Sequence, residues 1–190
     1  MNAEKFLSYL PWLRLPKEVI SQKELDEEFD HQQIISTTPI NRSELLFLDN
    51  APDDISALFR SYDLSTINML WTTFLSEPTK IPEGWHFANM PRARIVRVPS
   101  GRIESYFYHP DKALNAEAKF LDAIAKNMDA YLEALICGAM ARRHVVQGFS
   151  EKPDIQEKLE PVAQLCTVLA GGDEYKEFWF DVIGVGAQEW

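Results

Sequence analysis

The chain has 190 residues, 46% hydrophobic and 25% charged, enough for one sizeable core and one domain over 1–190. No run of about 18 apolar residues is present to span a membrane, and the opening "MNAEKFLSYLPWLRLPKE" lacks the basic start, apolar core and cleavage site of an export signal, so a cytoplasmic protein is expected. The net charge of -10 comes from residues 1–60 and 150–190, a field that repels nucleic acid and anionic membrane and speeds encounter with a basic partner.

In chain order, Ser21-Gln22-Lys23-Glu24 fits a capping box, in which the serine hydroxyl and the glutamate side chain satisfy free backbone amides at a helix start. A short acidic helix through "ELDEEFDHQQ" should follow, and it clusters Asp26, Glu27, Glu28 and Asp30 with no lysine or arginine among them. The run Glu44 to Asp49 is short and apolar, compatible with a buried strand or a helical turn. Pro52 stands where the first turn of a helix tolerates proline, and Ile55, Leu58 and Phe59 give that helix its apolar face.

From Ser65 to Leu75, "STINMLWTTFL" is rich in β-branched and aromatic residues and predicts one strand before the turn-rich "SEPTKIPEG". In "RIVRV", Arg94 to Val98, charged and apolar residues partly alternate; Pro99-Ser100-Gly101 supplies turn chemistry, and "RIESYFY" resumes as an aromatic strand. This antiparallel hairpin over 94–108 should place Ile103, Ser105 and Phe107 on one face and Arg102, Glu104, Tyr106 and Tyr108 on the other. Trp85 and Gly101 are read as structural anchors.

Leu121, Ile124, Met128, Leu132 and Leu135 recur at spacings of three and four, which predicts one buried stripe of a long helix. A further helix from about Ser150 should bury Ile155, Leu159, Val162, Leu165 and Leu169, bend or restart at Pro161, and stop at Gly171-Gly172. The last helix, "DEYKEFWFDVIG", packs Phe178, Trp179 and Ile183. Helices, then strands, then helices is an α+β order: a small, largely antiparallel sheet with helices on one side and a helical C-terminal third.

Chemical motifs are sparse. His31, His86, His109 and His144 stand in no zinc-protease or deaminase context, and no nucleophile elbow or phosphate-binding glycine loop occurs, so no metal and no cofactor is expected. Cys137 and Cys166 sit in apolar helical patterns without a partner at metal-ligand spacing, which reads as buried free thiols. Arg92, Arg94, Arg97 and Arg102 with Tyr106 and Tyr108 have the make-up of a single-strand-binding sheet. Glu104 among them and the acidic ends favour internal salt bridges instead.

The segment Gly84-Trp85-His86-Phe87-Ala88, the strand Arg94 to Val98, the turn Ser100-Gly101-Arg102-Ile103 and the helix "FLDAIAKNMDAYLEAL" (Phe120 to Leu135) together resemble the SUKH superfamily, a group of bacterial immunity proteins and relatives of cell-wall-synthesis regulators. Asn127 stands where the family's helix carries serine, and "PDDISALFRSYDL" resembles its upstream segment without the glycine. The resemblance covers residues 50–135 and leaves the C-terminal helices of 150–190 outside it. It implies a non-catalytic, cofactor-free protein that binds and blocks a cognate toxin. Joined to the acidic charge, it places partner binding on Asp26, Glu27, Glu28 and Asp30 and makes the partner basic. The alternatives are a small enzyme using His86 or His109 with a carboxylate, and a regulatory or scaffold subunit.

Overall fold

The computed structural model describes residues 1–9, 38–39, 48, 50–60, 62–65, 67–108, 118–149 and 155–185. The chain forms α1 (Ala3–Tyr9), β1 (Thr38–Pro39), α2 (Asp53–Phe59), β2 (Tyr62–Asp63), and six strands in succession: β3 (Asn68–Met69), β4 (Thr72–Ile81), β5 (Gly84–Met90), β6 (Ala93–Arg97), β7 (Ile103–Phe107) and β8 (Lys119–Ala125). Three helices follow, α3 (Met128–Phe149), α4 (Ile155–Ala170) and α5 (Lys176–Ile183), the last preceded by a 3-10 turn over Asp173–Tyr175. Strands β3 to β8 pair in sequence order as one antiparallel meander, and β1 pairs with β2. This is an α+β fold.

The hairpin lies where its turn chemistry puts it. Arg97 pairs with Ile103 and Arg94 with Tyr106, while Gly101 closes the turn at φ 95°, a conformation that favours glycine. Ile103 and Ser105 are buried on the helix side, and Glu104 and Tyr106 are half-buried on the other. Trp85 is buried in the main core.

The expected strand 65–75 is two strands instead. Met69 pairs with Thr72 across a two-residue turn, Leu70-Trp71, with φ of 49° and 66°. Such a turn ordinarily takes asparagine and glycine; here the left-handed backbone is offset by complete burial of Leu70. The following "SEPTKI" belongs to β4, whose register against β5 shifts between Phe74 and Thr79, the irregularity that lets Pro78 sit within a strand.

The long helix does not begin at Leu121. Lys119–Ala125 is an edge strand, and Asn127 starts α3 by accepting a 2.9 Å hydrogen bond from the Ala130 amide. Leu121 is therefore 40% exposed, while Ile124, Met128, Leu132 and Leu135 are buried. Two bulges explain the misleading spacing: Leu121 has no opposite number between the pairs Ser105–Asp122 and Tyr106–Phe120, nor has Ile124 between Ile103–Ala125 and Glu104–Ala123. A bulged strand repeats its apolar residues at three rather than two.

Helix α4 runs through Pro161 without restarting; the proline is solvent-facing and forgoes one bond to the carbonyl of Glu157, itself in the exposed first turn. Among the described side chains of α4, those buried are Leu159, Ala163, Cys166, Thr167 and Ala170, whereas Leu165 is 48% exposed. Small residues win the inward face because α3 and α4 approach closely at Gly138, where an added Cβ would lie 3.1 Å from the Cys166 sulfur. The helix stops at Gly171-Gly172 as expected, and α5 buries Phe178, Trp179 and Ile183.

One core joins the sheet to the helices. An aromatic string crosses it, with ring centroids 5.9 Å apart from Phe6 to Phe74, 6.3 Å to Phe87, 5.7 Å to Tyr131 and 6.5 Å to Trp179. The far face of the sheet holds a smaller cluster, Ile81, Val96 and Val98 with Tyr106 against it, to which no described helix contributes.

Candidate functional site

Two groups of chemically capable residues emerge, one on each face of the sheet. On the far face, pairing puts His86 beside Val96, and Asn89 beside Arg94. His86 Nε2 lies 2.8 Å from Asn89 Oδ1, so with that oxygen as acceptor Nε2 carries the proton and the buried Nδ1 is left without a partner. Burial pushes the imidazole below its ordinary value, opposed by the Asn89 hydrogen bond and reinforced by the Arg94 charge. His86 is thus held neutral beside an amide rather than a carboxylate.

The hairpin arginines are engaged within the fold. Arg97 Nε meets Asp54 Oδ2 at 3.1 Å, tying β6 to α2, and Arg102 reaches Glu174 at 3.4 Å and Glu104 at 3.7 Å. The Arg94 guanidinium lies 4.6 Å from the centroid of the Tyr108 ring. Tyr106 donates a 2.6 Å hydrogen bond to Glu104 Oε2, and burial, followed by that carboxylate, drives its hydroxyl well above the usual range. Arg92 is exposed at the β5–β6 turn.

The second group lies where the 3-10 turn and α5 pack against β8. Trp179 Nε1 donates 3.0 Å to the carbonyl of Ile124, the residue that the bulge leaves without an opposite number. This contact seats α5 so that Glu177 and Asp181, one turn apart, stand near Asp122. Burial, then Glu177 and Asp181, raise the Asp122 carboxyl above its ordinary value, against a Ser105 hydrogen bond that lowers it. Burial and Glu177 raise Asp181 in the same direction. An open depression of about 400 Å³ beside them is lined by Asp173, Glu174, Lys176, Glu177, Phe180 and Asp181. On the adjoining strand Leu121 is 40% exposed, whereas Phe120, 50% exposed, packs edge-on against Tyr106 of the far face with ring centroids 5.9 Å apart.

The expected acidic patch of Asp26, Glu27, Glu28 and Asp30 lies outside the described residues, as do the capping box at Ser21, His31 and His109; the same holds for the side chain of His144. The cluster at Asp122 escaped the sequence reading because its segment was assigned to a helix. The i, i+4 carboxylates Glu177 and Asp181 were the available signal.

Among the described residues no group of three His, Cys, Asp or Glu is placed to hold a metal ion, and no helix is long and apolar enough to cross a membrane. The chain matches no family model, no curated protein and no solved structure.

Proposed function

We propose that the protein is a non-catalytic binding protein, an immunity protein of the SUKH kind that neutralises a cognate toxin through an acidic surface. The observation that carries this reading is the combination at the β8–α5 edge: Asp122 and Asp181, both raised by burial and by the neighbouring Glu177, next to exposed Leu121. Like charges held together cost stability, and a cationic partner relieves that cost when it docks. Leu121 next to them supplies apolar contact area that charge alone does not. A toxin with a basic nucleic-acid-binding cleft has the complementary surface. Asp26, Glu27, Glu28 and Asp30 form a second acidic patch in the sequence that extends the same attraction.

The test begins with the product of the reading frame upstream in the source genome. Its association with this protein should slow between about 50 mM and about 500 mM salt. Glu177→Lys with Asp181→Lys should slow association at least about tenfold at low salt without lowering the urea midpoint, because both are surface charges and the lysines relieve the crowding at Asp122. Growth rescue from that toxin should fall in parallel. Association indifferent to salt, or equal rescue by the charge-reversed variant, removes this surface from the reading.

A further inference from the structure

Cys137 and Cys166 are not two separate core thiols. Cys166, fully buried on α4, donates through its sulfur to the carbonyl of Ala134 at 3.4 Å. Its sulfur also stands 3.1 Å from where a Cβ on Gly138 would be. Both distances place it in the groove of α3 between Ala134 and Gly138, beside Cys137. Cys137 itself is only partly buried. Of the two, Cys137 is the more exposed residue and Cys166 is fully buried.

We propose that Cys137 and Cys166 form a peroxide-responsive pair, in which Cys137 is oxidised first and Cys166 resolves it to a disulfide stapling α3 to α4. This inference does not depend on the proposed binding function. The Cys137 sulfur attacks one oxygen of hydrogen peroxide, the O–O bond breaks, and the departing hydroxide takes a proton to become water, leaving a sulfenic acid. The Cys166 sulfur then attacks the Cys137 sulfur. As the S–O bond breaks, the leaving hydroxyl takes the Cys166 proton and departs as a second water. Two thiols are oxidised to one disulfide, and both peroxide oxygens are reduced to water.

Environment assigns the two roles. The adjoining Cys166 thiol lowers Cys137 from the ordinary cysteine value, which favours its thiolate. The Cys137 sulfur beside it, with burial, pushes Cys166 up and keeps it protonated until Cys137 has reacted. A partly exposed thiolate backed by a resolving thiol is the arrangement that a reversible thiol sensor requires.

The native wild-type protein is treated with hydrogen peroxide, then unfolded and alkylated, and its intact mass and proteolytic map are read. The expected product is about 2 Da lighter than the starting protein, takes up no alkylating agent, and yields one peptide linked from Cys137 to Cys166. Cys166→Ser should stop at a sulfenic acid on Cys137 that dimedone traps. In Cys137→Ser, oxidation of Cys166 should be at least about tenfold slower. Two alkylatable thiols after treatment, a sulfinic acid on Cys137 without the cross-link, or disulfides only between molecules would each overturn the proposal. The wild-type map decides this without relying on either variant.

Discussion

At Trp179 a single side chain closes two accounts at once, filling the end of the aromatic string and capping the Ile124 carbonyl. Trp179→Phe keeps most of the ring but leaves that buried oxygen without a donor, and should lower unfolding free energy by about 1–3 kcal/mol. Urea denaturation measures it, and a change under about 0.5 kcal/mol would mean water reaches the bulge. Residues of this kind hide from sequence reading. An apolar helix face announces that Trp179 is buried, but nothing local to "EFWFDV" says that its N–H serves a bulge fifty-five positions earlier. Leu70-Trp71 is hidden for a different reason: neither residue favours a positive φ, so a turn there is dictated by what Leu70 covers, not by turn chemistry.

Among the elements, the β5–β6–β7 hairpins depend on two glycines in different ways. Gly101 needs its left-handed backbone but has room, the nearest atom to an added Cβ being the Arg97 side chain at 3.7 Å. Gly84 faces main chain: a Cβ there would fall 2.2 Å from the Arg97 carbonyl oxygen, which no side-chain rotation can relieve. Gly84→Ala should therefore cost about 3 kcal/mol, since strands must part, against about 1 kcal/mol for Gly101→Ala, which is conformational strain alone. Paired thermal melts rank the two, and equal losses would show that β5 shifts freely against β6. The hairpin was legible because Pro99-Ser100-Gly101 carries turn chemistry in three adjacent letters. Strand β8 was not, because bulges at Leu121 and Ile124 convert a period of two into helix-like spacing. With β8 went Asp122, and with Asp122 the described candidate surface.

For the molecule as a whole, charge opposes stability in two pH windows of opposite sign. His86 is held below its ordinary value of about 6.5, so its contribution is complete above that pH and is lost as pH falls through its folded-state value. Asp122 and Asp181 are held above their ordinary values, so their cost is present at neutral pH and is relieved as pH falls through their raised values. Stability should decline from pH 7 toward pH 5, and His86→Gln, which has no proton to gain, should flatten that decline. Asp122→Asn should be more stable than wild type at pH 7, with the advantage shrinking toward acid. Urea midpoints across that range test both, and parallel curves for wild type and His86→Gln would assign the slope to other groups. Much of the net charge of -10 was legible in composition. Which carboxylates crowd one another required the seating of α5 on β8.

That seating also orders events during synthesis. Each strand of the meander bonds to the next in sequence, so the sheet can zip together as it leaves the ribosome, starting from β3. The bulge of β8 must wait until Trp179 emerges, and in that interval the unfilled side of the core, with Leu121 beside it, is open to whatever binds nascent apolar chain. A nascent chain stalled before α5 has its sheet but not its lid, and is a client for chaperones rather than a finished binding protein.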